Sequence, residues 1–208
     1  MTAARASTEP GEPDAAVATQ ERSSGSERGP VTEVLLADGA TVVVRTIRPD
    51  DDAGLRAFHA RLSPESIVLR FFGPHPRLSD AEVERFTRVD GDDRLALVAE
   101  DTSGIVAVAR FDRPPGRDEA EVAFVVGDAF QGHGLGSLLL QRLADEARSR
   151  GIRWFVADTL SENYRMLNVF RDAGFPRTFT RASEVMRVVM DIGQRPDHPA
   201  PAGGGPPS

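Results

Sequence analysis

The chain contains no cysteine and no lysine. Without cysteine it has no disulfides, thiolate zinc sites, iron–sulfur clusters or thiol nucleophiles, and nothing points to an oxidising compartment. All 25 basic residues are arginine, set against 32 acidic ones for a formal net charge of -7. An acidic balance argues against sequence-independent binding to nucleic acid, which needs a dense basic surface, and it suits a cationic partner. No run of about 18 apolar residues exists to span a bilayer, and Met1-Thr-Ala-Ala-Arg5 lacks the apolar core of a signal peptide. The four histidines, His59, His75, His133 and His198, have no metal-ligand spacing. The expectation is a cytoplasmic protein that takes no metal and binds neither membrane nor nucleic acid.

What is present is enough for one domain with a substantial core, since the chain has 208 residues of which 40% are hydrophobic. Residues 1–30 and 193–208 are rich in Gly, Pro, Ala and Ser without periodicity, so neither stretch offsets its ordering entropy by burial. Both are expected to be disordered tails around a globular unit at residues 31–192. Within that unit Val34–Ala37 and Thr41–Ile47 read as strands joined by Asp38-Gly39. Leu55, Phe58 and Leu62 mark a helix, Ser63-Pro64 starts a second, and Ser79 to Glu82 is a capping box opening a third. Arg94–Glu100, Ile105–Phe111 and Glu119–Val126 follow as an antiparallel meander. The period then changes to that of a helix, with Leu135, Leu138, Leu139, Leu143 and Ala147 on one face and Gly151 as its stop. Strand Arg153–Leu160, a helix capped by Ser161, and strands near Phe175–Arg181 and Glu184–Asp191 complete an α/β chain with a mixed sheet.

Chemistry concentrates where strand Glu119–Val126 gives way to helix. Gly132, Gly134 and Gly136 leave several backbone N–H groups unobstructed at a helix start, where unpaired donors and the helix dipole favour an anion. Gly127 and Gly132 have the spacing of a Walker loop, but His133-Gly134 stands where lysine and Ser/Thr are needed. A dinucleotide fingerprint needs its third glycine at Ser137 and a parallel βαβ setting, whereas the preceding strands read as hairpins. Neither nucleotide reading survives, and a phosphate cradle of another kind remains.

The run Gln131-Gly-His-Gly-Leu-Gly136 resembles the Q/R-x-x-G-x-G/A loop of the GNAT superfamily of N-acetyltransferases. Glu162-Asn163 through Phe170 to Gly174-Phe175 resembles that superfamily's N-x-x-A…Y-x-x-x-G-F helix and turn, in the same order and spacing. Leu62 to Ser66, Arg70-Phe-Phe-Gly73 and Ala120 to Val126 are similar to the bacterial Pat-type protein lysine acetyltransferases. The resemblance implies a GNAT fold: a mixed, mostly antiparallel sheet flanked by helices, with strands Glu119–Val126 and Arg153–Leu160 parallel and splayed into a slot. It implies acetyl-CoA as cosubstrate, held by the backbone of Phe124, Val125 and Val126, by the loop Gln131, Gly132, His133, Gly134, Leu135, Gly136 and Ser137, and by Asn163. It also implies a protein substrate presenting a lysine, with an acyl-CoA synthetase as a candidate. Monomer and dimer are both compatible with the sequence.

A lysine amine is almost wholly protonated at neutral pH and needs a base before it can attack. The resemblance puts that base at Glu121. Glu119, on the same strand face by alternation, is the second candidate. Phe170 stands where many members have a tyrosine proton donor, and Tyr164, six residues earlier, lies about 120° away around the helix. The expectation is therefore transfer without a tyrosine acid. A small amine as acceptor, and an acyl-CoA-binding sensor without catalysis, stay open as alternatives. The His133 side chain is expected to face solvent, leaving its backbone N–H as the useful group. Arg70-Phe-Phe-Gly-Pro74 reads equally well as acceptor-site wall or as core anchors with a surface arginine.

Overall fold

The computed structural model describes residues 31–194 with their side chains and the backbone of residues 18–21. Among the described residues nine strands form one sheet in the order β1 (Ala18–Glu21), β2 (Thr32–Leu35), β3 (Thr41–Thr46), β4 (Arg94–Asp101), β5 (Gly104–Asp112), β6 (Glu119–Val126), β7 (Trp154–Leu160), β9 (Val185–Asp191), β8 (Arg177–Ala182). The helices are α1 (Asp52–Arg61), α2 (Pro64–Phe71), α3 (Asp80–Thr87), α4 (Leu135–Ser149) and α5 (Tyr164–Asp172). Among the described residues no helix is long and apolar enough to cross a membrane.

Period-two alternation sorts the sheet into two faces. Leu95, Leu97 and Ala99 of β4 join a core with Leu135, Leu139, Leu140 and Leu143 of α4 and Leu167 and Phe170 of α5. Ala96 and Val98, the intervening residues, pack with Leu55 and Phe58 of α1 and Val83 of α3. β4 is thus buried on both sides, and the two helical layers sandwich the sheet.

Two sequence expectations change. Within the stretch read as a disordered tail, Ala18–Glu21 pairs with β2 from Ala18↔Leu35 to Glu21↔Thr32. Backbone pairing on an open strand edge needs no side-chain periodicity, so the pattern carried no sign of it. At the other end Gly193 donates its N–H to the Asp191 carboxylate at 3.0 Å; residues 1–17, 22–30 and 195–208 of the two tails lie outside those described. The last helix is capped by Asn163, whose Oδ1 accepts from the Met166 N–H at 3.1 Å, and not by Ser161. The chain first turns, with the Asn163 N–H donating to the Leu160 carbonyl at 2.9 Å, and this delays the helix start.

One buried ion pair ties β3 to the start of α1. Arg45 is 7% exposed and donates to both carboxylate oxygens of Asp51, each at 2.7 Å, and also to Glu100. Burial pushes the Asp51 carboxyl up, but hydrogen bonds from the Arg45 guanidinium and the Arg48 amide outweigh it and hold the group below its ordinary value. A depressed folded-state value means stability that is present above the ordinary value and lost as pH falls through the folded one. Asp51→Asn is therefore expected to cost about 2 kcal/mol at neutral pH. Thermal melts should show the gap to wild type closing as pH falls below about 4.

Candidate active site

β6 and β7 are the sheet's only parallel neighbours among the described residues, and they pair over just three positions: Glu119↔Trp154, Ala120↔Phe155 and Glu121↔Val156. Beyond them β6 continues to Val126 and β7 to Leu160 with no pairing between the two, so the strands part. On its other edge β6 stays paired with β5 through Val126↔Ala107, and the Gly127 N–H donates to the Val106 carbonyl at 2.8 Å. Antiparallel alternation then directs the peptide groups of Phe124 and Val126 into the opening and those of Val125 toward Val108. Val125 meets the opening with its side chain instead.

The opening is a cleft of about 510 Å3 lined by Phe124, Val125, Val126, Gln131, Gly132, His133, Gly134, Gly136, Ser137 and Asn163, with Ser66, Leu69 and Arg70 of α2 on one wall and Met166 and Val169 of α5 on another. Leu135, between these glycines, is 1% exposed and belongs to the core; its backbone alone is at the helix start.

At the start of α4 the cleft is lined by backbone groups that no acidic side chain caps. Gly134 is the N-cap of α4 with φ 82°, and no side chain caps the helix or places an acidic residue in its first turn. The first intrahelical bond at this end runs from the Leu138 N–H to the Gly134 carbonyl at 3.0 Å. The amides ahead of Leu138 are thus the unpaired donors of the helix. Gly136 matters sterically, because a Cβ there would lie 3.3 Å from Cγ2 of Val169 on α5.

Several loop side chains have structural employment. Gln131 donates to the Val126 carbonyl at 2.9 Å and to the Ser66 hydroxyl at 3.1 Å, and its Oε1 accepts from Arg165 at 2.6 Å. Its side chain thus joins α2, β6 and α5 around the loop. The His133 side chain is not directed to open solvent as expected: its Nδ1 lies 2.7 Å from the Asp38 carboxylate in the β2–β3 turn. Asn163 already uses its Oδ1 as a helix cap.

Asp128 is a site residue that the sequence did not reveal. Its carboxylate accepts from the Ser63 N–H at 2.9 Å and from the Ser63 and Ser66 hydroxyls at 2.7 Å each, pinning the start of α2 to the loop. Burial pushes this carboxyl up, and the bonds from Ser63 and Ser66 outweigh it and hold it low. The partners lie more than 60 residues away, so no local pattern marks them. Asp128→Ala is expected to cost about 2 kcal/mol in denaturant unfolding, while Asp128→Asn, which keeps an acceptor oxygen, loses less.

Glu119 and Glu121 are exposed on one face of β6, while Ala120 and Val122 between and beyond them are buried. Glu121 lies outside the cleft lining, at the end where β6 and β7 still pair. Its charge acts on Arg70, whose guanidinium packs 5.1 Å from the centre of the Phe71 ring. Phe170 is 2% exposed and packs edge-on against Phe124, with ring centres 6.1 Å apart. Tyr164 is 72% exposed and takes no part in the cleft.

Residues 54–175 match the profile of the acetyltransferase (GNAT) family, which is more than half of the chain. The chain belongs to the GNAT acetyltransferases. An acetyltransferase of Pseudomonas aeruginosa is 31% identical over 144 residues, covering 67% of this chain and 77% of that protein. The acetyltransferase Pat of Mycolicibacterium smegmatis is also 31% identical over 144 residues, but this GNAT chain covers only 43% of its length. The crystal structure of the GNAT domain of S. lividans PAT superposes with a TM-score of 0.73 at 43% identity, covering 77% of this chain and 96% of that one. As a GNAT enzyme the chain is an acetyl-CoA-dependent N-acetyltransferase.

Proposed function

We propose that this GNAT chain acetylates the ε-amine of a lysine presented by a protein, with Glu121 as the general base. The observation that carries the reading is the parting of β6 and β7 next to an uncapped helix start. A strand edge with unused peptide groups and a cluster of free amides suit a long, extended ligand with anionic groups at one end, and acetyl-CoA has that shape. When bound it supplies an activated acetyl thioester. The amides of Gly132 to Ser137 would hold its pyrophosphate, the slot-facing groups of Phe124 and the N–H of Val126, whose carbonyl already accepts from Gln131, would pair with its pantetheine arm, and the free end of the Asn163 amide would add a donor. None of these contacts requires a cationic side chain, which fits a loop whose His133 and Gln131 side chains are already committed.

The acceptor side supports an amine brought in from outside. Glu119 and Glu121 are both exposed and present an acidic rim to an incoming ammonium. At neutral pH only about one lysine in 2,500 is uncharged, so a carboxylate that takes the ammonium's extra proton before the bond forms, and passes it to water, removes the main barrier to attack. Likeness to Pat supports a protein as the bearer of that lysine, and an acyl-CoA synthetase is a suitable member of an acceptor panel.

Thiol release from acetyl-CoA, measured with a lysine-bearing protein, a polyamine and free amino acids, tests this reading. Preferred turnover with the protein is expected. Preferred turnover with a free amine makes the chain a small-molecule acetyltransferase, and cofactor binding without turnover on any acceptor makes it an acyl-CoA sensor.

A further inference from the structure

Among the described residues three basic side chains line the cleft: Arg70, His133 and Arg165. His133 is held by Asp38 and Arg165 by Gln131. Arg70 differs from both. Among the described residues its guanidinium has no hydrogen bond and no ion pair; it is half-buried against Phe71 and borders both the cleft and a small second cavity shared with Phe86, Ala123 and Val125. Holding a cation there without a partner costs desolvation free energy, and the cost is recovered when an anion arrives.

The placement of Arg70 says which end of the cleft that anion occupies. The start of α2 is pinned to the phosphate loop, with Ser66 bonded to Asp128 and Gln131. Arg70 lies one helical turn further on, about 6 Å along the axis, where the charges that act on it are Arg110, Glu121 and Asp112. These residues sit where β5 and β6 pair as Arg110↔Ala123 and Asp112↔Glu121. Arg70 therefore stands away from the amides that would hold phosphate and toward the candidate base. Burial and the Arg110 charge push its guanidinium down to about 10 against the pull of Glu121 and Asp112, so it remains charged at neutral pH. The residue that would be a tyrosine proton donor is Phe170, which is 2% exposed and sealed in the core.

Resting on the acetyl-transfer reading above, we propose that Arg70 stabilises the negative charge on the departing sulfur of coenzyme A, in place of a proton donor. In the step concerned, Glu121 has already passed the ammonium's extra proton to water; the neutral amine nitrogen then bonds to the acetyl carbon and gives its second proton to the Glu121 carboxylate. The carbon–sulfur bond breaks with its electron pair going to sulfur. Glu121 then returns the proton, through water, to the thiolate, leaving an amide and a thiol. Arg70 keeps all its protons and acts by charge alone.

Titration of coenzyme A bound to the full chain, followed by the ultraviolet absorbance of its thiolate, tests this. In the wild type the bound thiol is expected to be about tenfold more acidic than free coenzyme A. In Arg70→Gln that difference should vanish, and in Arg70→Lys, which keeps a charge, most of it should remain. Acetyl-CoA affinity should stay within about threefold in both variants, while kcat of Arg70→Gln falls about 100-fold. Thermal melts on both variants confirm that they are folded. Equal thiol acidity in wild type and Arg70→Gln would overturn the proposal, as would a loss confined to the acceptor KM, which would make Arg70 an acceptor-binding residue. Failure of the wild type to bind coenzyme A would instead remove the transferase reading on which it rests.

Discussion

Glu121→Gln is expected to lower kcat/KM for lysine acetylation about 1,000-fold at neutral pH, within the range usual for loss of a general base. Glutamine keeps the shape and a hydrogen-bonding oxygen of glutamate but cannot take up the acceptor's proton. Glu121 is exposed on β6 and Arg70 senses it only through its charge, so the change should leave stability within about 0.5 kcal/mol. The loss should also shrink as pH rises toward the lysine value of about 10.4, because the amine then arrives already deprotonated. Glu119→Gln, on the same strand face, is expected to change the rate no more than a few-fold. Initial rates of thiol release across pH separate the cases. If Glu119→Gln carries the loss, the base is Glu119; if neither variant differs from wild type, no carboxylate of β6 is the base.

Gly134→Val is expected to weaken acetyl-CoA binding about 30-fold, equivalent to about 2 kcal/mol. At φ 82° Gly134 occupies the left-handed region, which a β-branched residue enters only with strain of about 1–3 kcal/mol. Relief of that strain would turn the amides at the start of α4 out of register with the cleft. A loss of stability alone could mimic the effect, and Gly151 provides the control. It has φ 74° just past the other end of α4, and it does not line the cleft. Gly151→Val should lose comparable stability while binding acetyl-CoA like the wild type. Equal affinity for all three proteins in titration calorimetry would sink the idea that the loop amides hold the pyrophosphate.

Most of the fold was legible because the chain alternates cleanly between periods of two and 3.6. The Asp38-Gly39 turn, the Ser79 capping box and the apolar stripe of α4 each carry their geometry in adjacent residues. The glycine loop was legible for the same reason. Features decided by distant partners were not. Ser161 and Asn163 are both good caps, and only the turn held by the Leu160 carbonyl decides between them. His133 meets an aspartate 95 positions earlier, across the β2–β3 turn. Gln131, read as a cofactor ligand, spends its side chain joining three elements. Arg70 illustrates the limit most clearly. Its two sequence readings were equally good, and its significance depends on Arg165 and His133, the other basic side chains of the cleft, having partners.

The absence of lysine excludes a Walker loop, and for a lysine acetyltransferase it also means that no internal lysine of this chain competes as acceptor. Site-resolved mass spectrometry of a mixture of this protein, acetyl-CoA and a folded lysine-bearing acceptor is therefore a clean test of the central claim. The account predicts acetyl groups on acceptor lysine ε-amines with the wild-type chain, nearly none with Glu121→Gln, and none on internal positions of this chain. Acetyl groups only on free small amines, or on an internal residue of this chain, would contradict it.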